Sequence, residues 1–308
     1  MKQLYSTVLL VSALFVMRGY GQQVPQYTQY FLNDFTINPG VTGTKNAWYA
    51  QTNARYQWVG IRDAPRTVIL NANGPIEGLN MGVGGYLFSD VVGPTRRTGI
   101  SGSYAYHLKL SKDIKLGMGL SLGATNWRID GAAISLQDEA DLALGSNMRG
   151  IWVPDAGVGL HLYSDDFWIG VSAPQVLGNE LRFSSELTEN MARLERHYFF
   201  TAGYNFEVSD DFTIQPAFFI KYIEPLPIMY DVTLRGLYKD IFWAGVAYRV
   251  DESVGAMVGI QIQDNLLFGY SYDVPTGALS PFTTGSHELM IGFKFKKRTS
   301  NQFRKLKF

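Results

Sequence analysis

The sequence predicts an all-β fold: a single antiparallel transmembrane β-barrel of about 14 strands, of the outer-membrane type. Three observations carry this expectation. Side chains alternate with a period of two in segment after segment, an export signal is followed by no helical span, and the long connections fall at alternate positions.

The alternation fixes the faces. Leu116, Met118, Leu120 and Leu122 point one way, and Gly117, Gly119, Ser121 and Gly123 point the other. Tyr198, Phe200, Tyr204 and Phe206 stand against Thr201, Gly203, Asn205 and Glu207. Near the end, Leu289, Ile291, Phe293 and Phe295 stand against Met290, Gly292 and Lys294. Successive side chains of a strand face opposite sides, so each segment is apolar on one face and small or polar on the other. A packed core would produce this pattern, and so would lipid outside with water inside.

Composition favours the membrane. Only 18% of residues are charged, 14% are aromatic and 32 are glycine, whereas soluble domains carry about 25% charge. Low charge with many Tyr, Phe and Gly suits aromatic girdles around small lumen-facing residues. The 27 basic and 27 acidic residues cancel, which leaves no basic excess for nucleic acid. Low charge on the inferred inner faces also counts against an ion-selective pore. Cysteine is absent, which excludes disulfides, thiol chemistry and a lipid-bearing cysteine.

Residues 1–21 read as a secretory signal: Lys2 supplies the positive start, Val8 to Met17 the apolar core and Gly19-Tyr20-Gly21 the small residues before a cut at Gln22. That apolar core is too short to span a bilayer as a helix, which needs about 20 residues.

Fourteen strands are expected to begin near Ala47, Pro65, Leu79, Thr95, Asp113, Val153, Asp166, His197, Asp211, Ile228, Ile241, Val254, Asn265 and His287. Every even-numbered connection is short, built from turn formers such as Ser111-Lys112, Ser164-Asp165, Ser209-Asp210, Lys239-Asp240 and Asp264. The long connections, Arg128 to Trp152, Ala173 to Arg196 and Val274 to Ser286, are all odd-numbered. Short periplasmic turns with longer extracellular loops account for this, and place both termini in the periplasm. The barrel then runs over residues 46–296.

Before it lies an amino-terminal segment, residues 22–45, with Tyr27, Tyr30, Phe31, Phe35 and the turn Asn38-Pro39-Gly40. Fourteen strands enclose a lumen wider than side chains alone fill, so this segment is either a lumen plug or a periplasmic tail. After the barrel comes a basic periplasmic tail, residues 297–308, with Arg298, Arg304, Lys305 and Lys307. It is either a docking peptide for an acidic partner or a solvated extension. Asn38, Pro39, Arg298, Arg304 and Lys305 are the partner-binding candidates.

No catalytic, cofactor or metal residue is assigned. His107, His161, His197 and His287 lie on separate strands without ligand spacing, and by parity His161 faces the lumen. No Gly-x-Ser-x-Gly elbow is present. Gly117-x-Gly119 and Gly157-x-Gly159 sit inside strands, where packing explains them better than a phosphate loop does. Asp138-Glu139-Ala140-Asp141 reads as a solvated acidic patch rather than a calcium loop. Ser184 to Arg196 is expected to form a short capped helix with Leu187, Met191 and Leu194 along one edge.

The ordered set of motifs resembles the PorP/SprF family of the type IX secretion system of Bacteroidota. It consists of Gln26-Tyr27-Thr28-Gln29-Tyr30-Phe31 and Ile37-Asn38-Pro39-Gly40, then Arg55-Tyr56-Gln57-Trp58 with Gly60 and Pro65, and Gly74-Pro75-Ile76. Ser89-Asp90, Gly93-Pro94 and Tyr104-Ala105-Tyr106-His107-Leu108 follow, then Gly157-Val158-Gly159 and Gly170-Val171-Ser172. Gly269-Tyr270-Ser271-Tyr272-Asp273 and Gly285-Ser286-His287-Glu288-Leu289 close the series. Gly40 stands where the family often has Ala. The resemblance implies a non-enzymatic outer-membrane barrel supporting secretion or surface attachment of adhesins, including gliding adhesins. Its implied partners are cargo with a carboxyl-terminal sorting domain, secretion components in the periplasm or outer membrane, and membrane lipid. From the residues alone, the competing readings are a transporter of a small or hydrophobic solute and an outer-membrane hydrolase.

Overall fold

Strand register, lipid exposure and closure all follow from the period-two pattern. The computed structural model describes residues 25–130, 150–181, 192–224, 226–263 and 265–295. The signal segment, Asp138 to Asp141, Asp264 and the tail bearing Arg298, Arg304 and Lys305 lie outside these residues.

The strands are β1 (Trp48–Val59), β2 (Arg66–Ile76), β3 (Met81–Val92), β4 (Thr95–Lys109), β5 (Lys115–Ile129), β6 (Ile151–Tyr163) and β7 (Phe167–Gln175). A two-stranded hairpin, β8 (Glu180–Leu181) with β9 (Ala192–Arg193), follows. Then come β10 (His197–Tyr204), β11 (Phe206–Ser209), β12 (Phe212–Ile223), β13 (Met229–Tyr238), β14 (Phe242–Arg249), β15 (Ser253–Ile262), β16 (Leu266–Pro275) and β17 (Gly285–Phe295). β10 and β11 both pair with β12 and are one strand interrupted at Asn205, so the wall has fourteen staves. Antiparallel neighbours run in sequence order, and β1 pairs with β17 from Trp48↔Phe295 to Val59↔Gly285, closing the barrel. Each expected strand start lies within two residues of the observed one.

The outer face is a lipid belt. Leu120 and Leu122 are 60% and 73% exposed, and Val68, Leu87, Ile100, Val158, Leu234, Val258 and Leu289 stand out from the wall in the same way. On soluble surfaces such a continuous apolar band is rare. At one end, here the turn end, connections are tight: Lys239 and Asp240 both adopt positive φ (54° and 53°), the conformation of a two-residue hairpin turn. The other, loop end carries the longer connections.

Two expectations fail. The inner wall is not poor in charge: Arg55, Asp90, Arg97, Lys221, Asp231, Arg235, Arg249, Asp273 and Glu288 are all buried there. The total charge is low, but most outward positions are apolar, so the charges that remain concentrate on the inside. Of the helix expected over Ser184 to Arg196, residues 184–191 lie outside the described residues, and the carboxyl end is not helical. Ala192–Arg193 pairs as strand with Glu180–Leu181, and Leu194 packs with Val153 and Leu181 instead. Covering the apolar mouth near Trp127 and Ile151 outweighs local helix propensity there.

Candidate functional site

The described amino-terminal residues lie inside the barrel. Gln26, Tyr27, Thr28, Gln29, Tyr30, Leu32, Asn33, Phe35, Asn38, Val41 and Thr42 are all buried. Pro25, Gln26 and Tyr27 lie in the loop half, beside Arg97, Trp127, Asp155 and Gln175. Leu32 has crossed to the turn half, packing with Leu237, Trp243, Leu267 and Met290. Thr36 and Ile37 border the loop-half cavity again, and residues 38–43 then lie on the turn-half wall before β1 begins.

The loop half is held by an ionic latch. Glu288 accepts the backbone N–H of Thr28 (2.8 Å) on one oxygen and that of Gln29 (3.1 Å) on the other. Asn53 Nδ2 and Arg55 Nη1, both at 3.0 Å, complete its shell. Asp273 accepts the Thr28 hydroxyl at 2.8 and 2.7 Å and Arg55 Nη2 at 2.6 Å. The strand register builds this, because Arg55 on β1 lies directly opposite Glu288 on β17. A neighbouring pair extends it: Arg249 donates to Asp231 at 3.0 Å and to Glu252 at 3.1 Å. Buried charges persist only when paired and hydrogen-bonded, and these are. Burial and the nearby Glu288 charge push the Tyr27 hydroxyl well above its ordinary range; burial, with the Asp231 charge, does the same to Tyr30. Both phenols are therefore neutral.

Aromatic contacts bridge to the turn half. Tyr30 stacks on Phe219 with centroids 5.1 Å apart, and the Arg235 guanidinium sits 4.2 Å above the Phe31 ring.

The turn half is held by backbone fit. Asn38 Nδ2 donates to the Leu160 carbonyl (2.9 Å), while its Oδ1 accepts Gly40 N (2.8 Å) and fixes the turn. Ser172 Oγ donates to Ile37 O (2.9 Å), and His107 Nε2 lies 2.8 Å from Thr42 O. The wall beneath is glycine because nothing larger fits. A Cβ on Gly119 would fall 2.1 Å from Pro39 C, and one on Gly117 would fall 2.2 Å from Gly40 O. On Gly159 it would fall 2.0 Å from Asn38 Oδ1.

Asn38 and Pro39 are thus brought into one site, though they face the wall rather than solvent. His107, on Thr42 O, and His161, stacked at 5.3 Å, share Tyr163, while His197 meets Glu195 O and His287 the Tyr270 hydroxyl. No cluster of three metal-ligating side chains occurs among the described residues. Sequence reasoning missed the latch. Its signal was present, because Arg55, Asp231, Arg249, Asp273 and Glu288 all sit at inward parity.

The motifs that carry the family resemblance converge on this segment. Two of them are the segment; Arg55, Asp273 and Glu288 are the latch; His107, Gly159, Gly170 and Ser172 form the seat. The model for the type IX secretion system membrane protein PorP/SprF matches residues 19–293. The chain belongs to this family. No curated protein matches it. Among solved structures, this PorP/SprF chain is similar to the toluene transporter TodX of P. putida (TM-score 0.51, 8% identity, 85% of this chain and 93% of that one). It is equally similar to a deltaS2 mutant of the monoaromatic hydrocarbon channel TodX (TM-score 0.52, 10% identity, 84% and 92%). At such identity the likeness shows a shared outer-membrane barrel fold. The family and these neighbours are secretion or channel proteins.

Proposed function

We propose that this PorP/SprF barrel serves type IX secretion as a closed, non-enzymatic scaffold. It binds cargo sorting domains or secretion components at its two ends, supporting secretion or surface attachment of proteins such as adhesins. One observation carries the reading: residues 25–44 occupy the lumen, latched at one level and seated on glycine at another. A lumen so filled does not pass a folded domain along its axis, so the work falls to the ends. The turn end, where β1 begins and β17 ends, faces the periplasm in this reading, and the basic tail, residues 297–308, follows β17 in the sequence. Arg298, Arg304 and Lys305 there suit an acidic partner.

The deciding experiment is affinity purification from native outer membranes in mild detergent, with co-purifying proteins identified. Recovery of a surface protein's sorting domain or of type IX components is expected; a lone barrel would overturn the reading. Deleting Thr299 to Phe308 should leave the barrel folded and weaken that recovery, and unchanged recovery would remove the tail from the proposal.

A further inference from the structure

The lipid-facing wall is uncharged almost everywhere, yet three arginines stand on it. Among the described residues, Arg66, Arg96 and Arg128 are the only charged side chains at outward positions of the fourteen staves, and all three are exposed. Strand register gathers them. Arg96 on β4 lies directly opposite Arg128 on β5; on its other side it faces Val91, which in turn faces Arg66 on β2. Opposite residues on neighbouring strands are about 5 Å apart at Cα, so Arg96 and Arg128 form one patch, with Arg66 about 10 Å from Arg96. The same row continues to Tyr56 on β1, and the Arg66 guanidinium sits 5.7 Å above the Tyr56 ring.

The patch lies at the loop-end rim of the lipid belt. Running down from it on the outward face, β5 presents Asn126, Ala124 and Leu122, β4 presents Thr98 and Ile100, and β3 presents Ser89 and Leu87. Polar side chains come first, and the strongly exposed apolar ones follow. That is the order of a bilayer edge, headgroups above hydrocarbon. On β12 to β14 the outward positions at the same end are Tyr222, Tyr230 and Tyr248, an aromatic girdle without charge. Like charges directly opposite on adjacent strands repel, and among the described residues neither Arg96 nor Arg128 has a side-chain hydrogen bond or ion pair. Two guanidinium forks thus stand side by side, unneutralised by the protein, at the depth of lipid phosphates.

We propose that Arg96 and Arg128 form a binding site for the phosphate of a membrane lipid, with Arg66 and Tyr56 at its flank. A guanidinium fork matches phosphate oxygens bidentately, and the anion between the two arginines removes their repulsion. The occupant is a lipid rather than a free anion, because an acyl chain hanging from that phosphate falls along Ile100, Leu87 and Leu122. A lipid held there anchors the β3–β4 hairpin, whose connection is only Gly93-Pro94, at the membrane surface. Phosphates line both edges of a bilayer, so the site stands whichever end of the barrel faces the periplasm. It is also independent of cargo binding.

The test is native mass spectrometry of the whole barrel in an uncharged detergent, titrated with dioleoyl phosphatidic acid or with dioleoylglycerol. The two lipids differ only in the phosphate. Phosphatidic acid should bind about tenfold more tightly, equivalent to about 1.4 kcal/mol, and excess inorganic phosphate should not displace it. Arg96→Gln and Arg128→Gln should each weaken phosphatidic acid binding about tenfold. Lys112→Gln, at the turn end of the same β4–β5 hairpin, should leave it unchanged. Equal binding of the two lipids, or displacement by inorganic phosphate, would overturn the site. So would a loss with Lys112→Gln as large as that with Arg96→Gln. Each variant is compared in barrels that show heat-modifiable migration; if one does not fold, the other decides, and unchanged binding there overturns the proposal.

Discussion

The two halves of the lumen segment are held by opposite physics. In the loop half, Thr28 and Gln29 are gripped by charges: Glu288 and Asp273, balanced by Arg55. In the turn half, residues Asn38 to Gly43 lie against the bare backbone of Gly117, Gly119 and Gly159, and the wall adds single hydrogen bonds from side chains such as His107 rather than ion pairs. A latch of this kind is directional and sensitive to removal of one partner, because the survivor is left as an uncompensated buried charge. A glycine seat is insensitive to charge and salt, and fails chiefly when volume is added. One segment thus has two independent modes of failure, so each can be tested without disturbing the other.

The largest effect is expected at the latch. Glu288→Ala leaves Arg55 half-paired and the Thr28 and Gln29 N–H groups unaccepted. It should cost about 3–5 kcal/mol, read as a lower midpoint of heat-modifiable migration; a loss below the others would reverse the ranking of the two regions. The next is at the outer face of the seat strand. Leu120→Arg, one residue from Gly119 but facing lipid, should cost about 2–4 kcal/mol and reduce folded barrel yield, whereas unchanged yield would refute the assigned face. On the inner face, Gly119→Ala pushes a methyl into the Pro39–Gly40 backbone and should cost about 1–3 kcal/mol. It should also speed proteolysis of the amino-terminal segment while the barrel stays folded, and an untouched segment would remove the seat argument.

The smallest effect is at Asp34, between the two halves. Burial raises its carboxyl above the ordinary 3.8, outweighing the Lys45 charge. A raised acid holds its proton more tightly when folded. Its contribution is therefore greatest below the unfolded value and is lost as pH rises through the folded one. Asp34→Asn should flatten that part of the stability profile, which lies above the ordinary 3.8, and an unchanged profile would show that the group is solvated.

Much of the fold was legible in the residues. Gly119 inward and Leu120 outward follow from alternation alone, and Lys239-Asp240 reads as the two-residue turn it forms. The latch was not legible, although every member was in view. Thr28 and Glu288 are separated by 260 residues, and no local pattern links them until β17 closes on β1. The same limit explains the inner charges. A composition of 18% charged residues describes the chain as a whole, while the barrel sorts its few charges to one side. Leu194 failed for a related reason: its helical spacing was real, but the partner that claims it, Val153, is remote in sequence.

By itself, then, the sequence determined the strand periodicity, the strand number, the lipid-facing side and the family, because these rest on neighbours one to four residues apart and on ordered motifs. Only the tertiary structure decided where the amino-terminal segment runs, which carboxylates hold it, and where the wall slips register. Those features depend on closure, which brings β1 beside β17 and sets β7 against β10 with one residue too many. The free energy of such contacts exists only once the ring is complete.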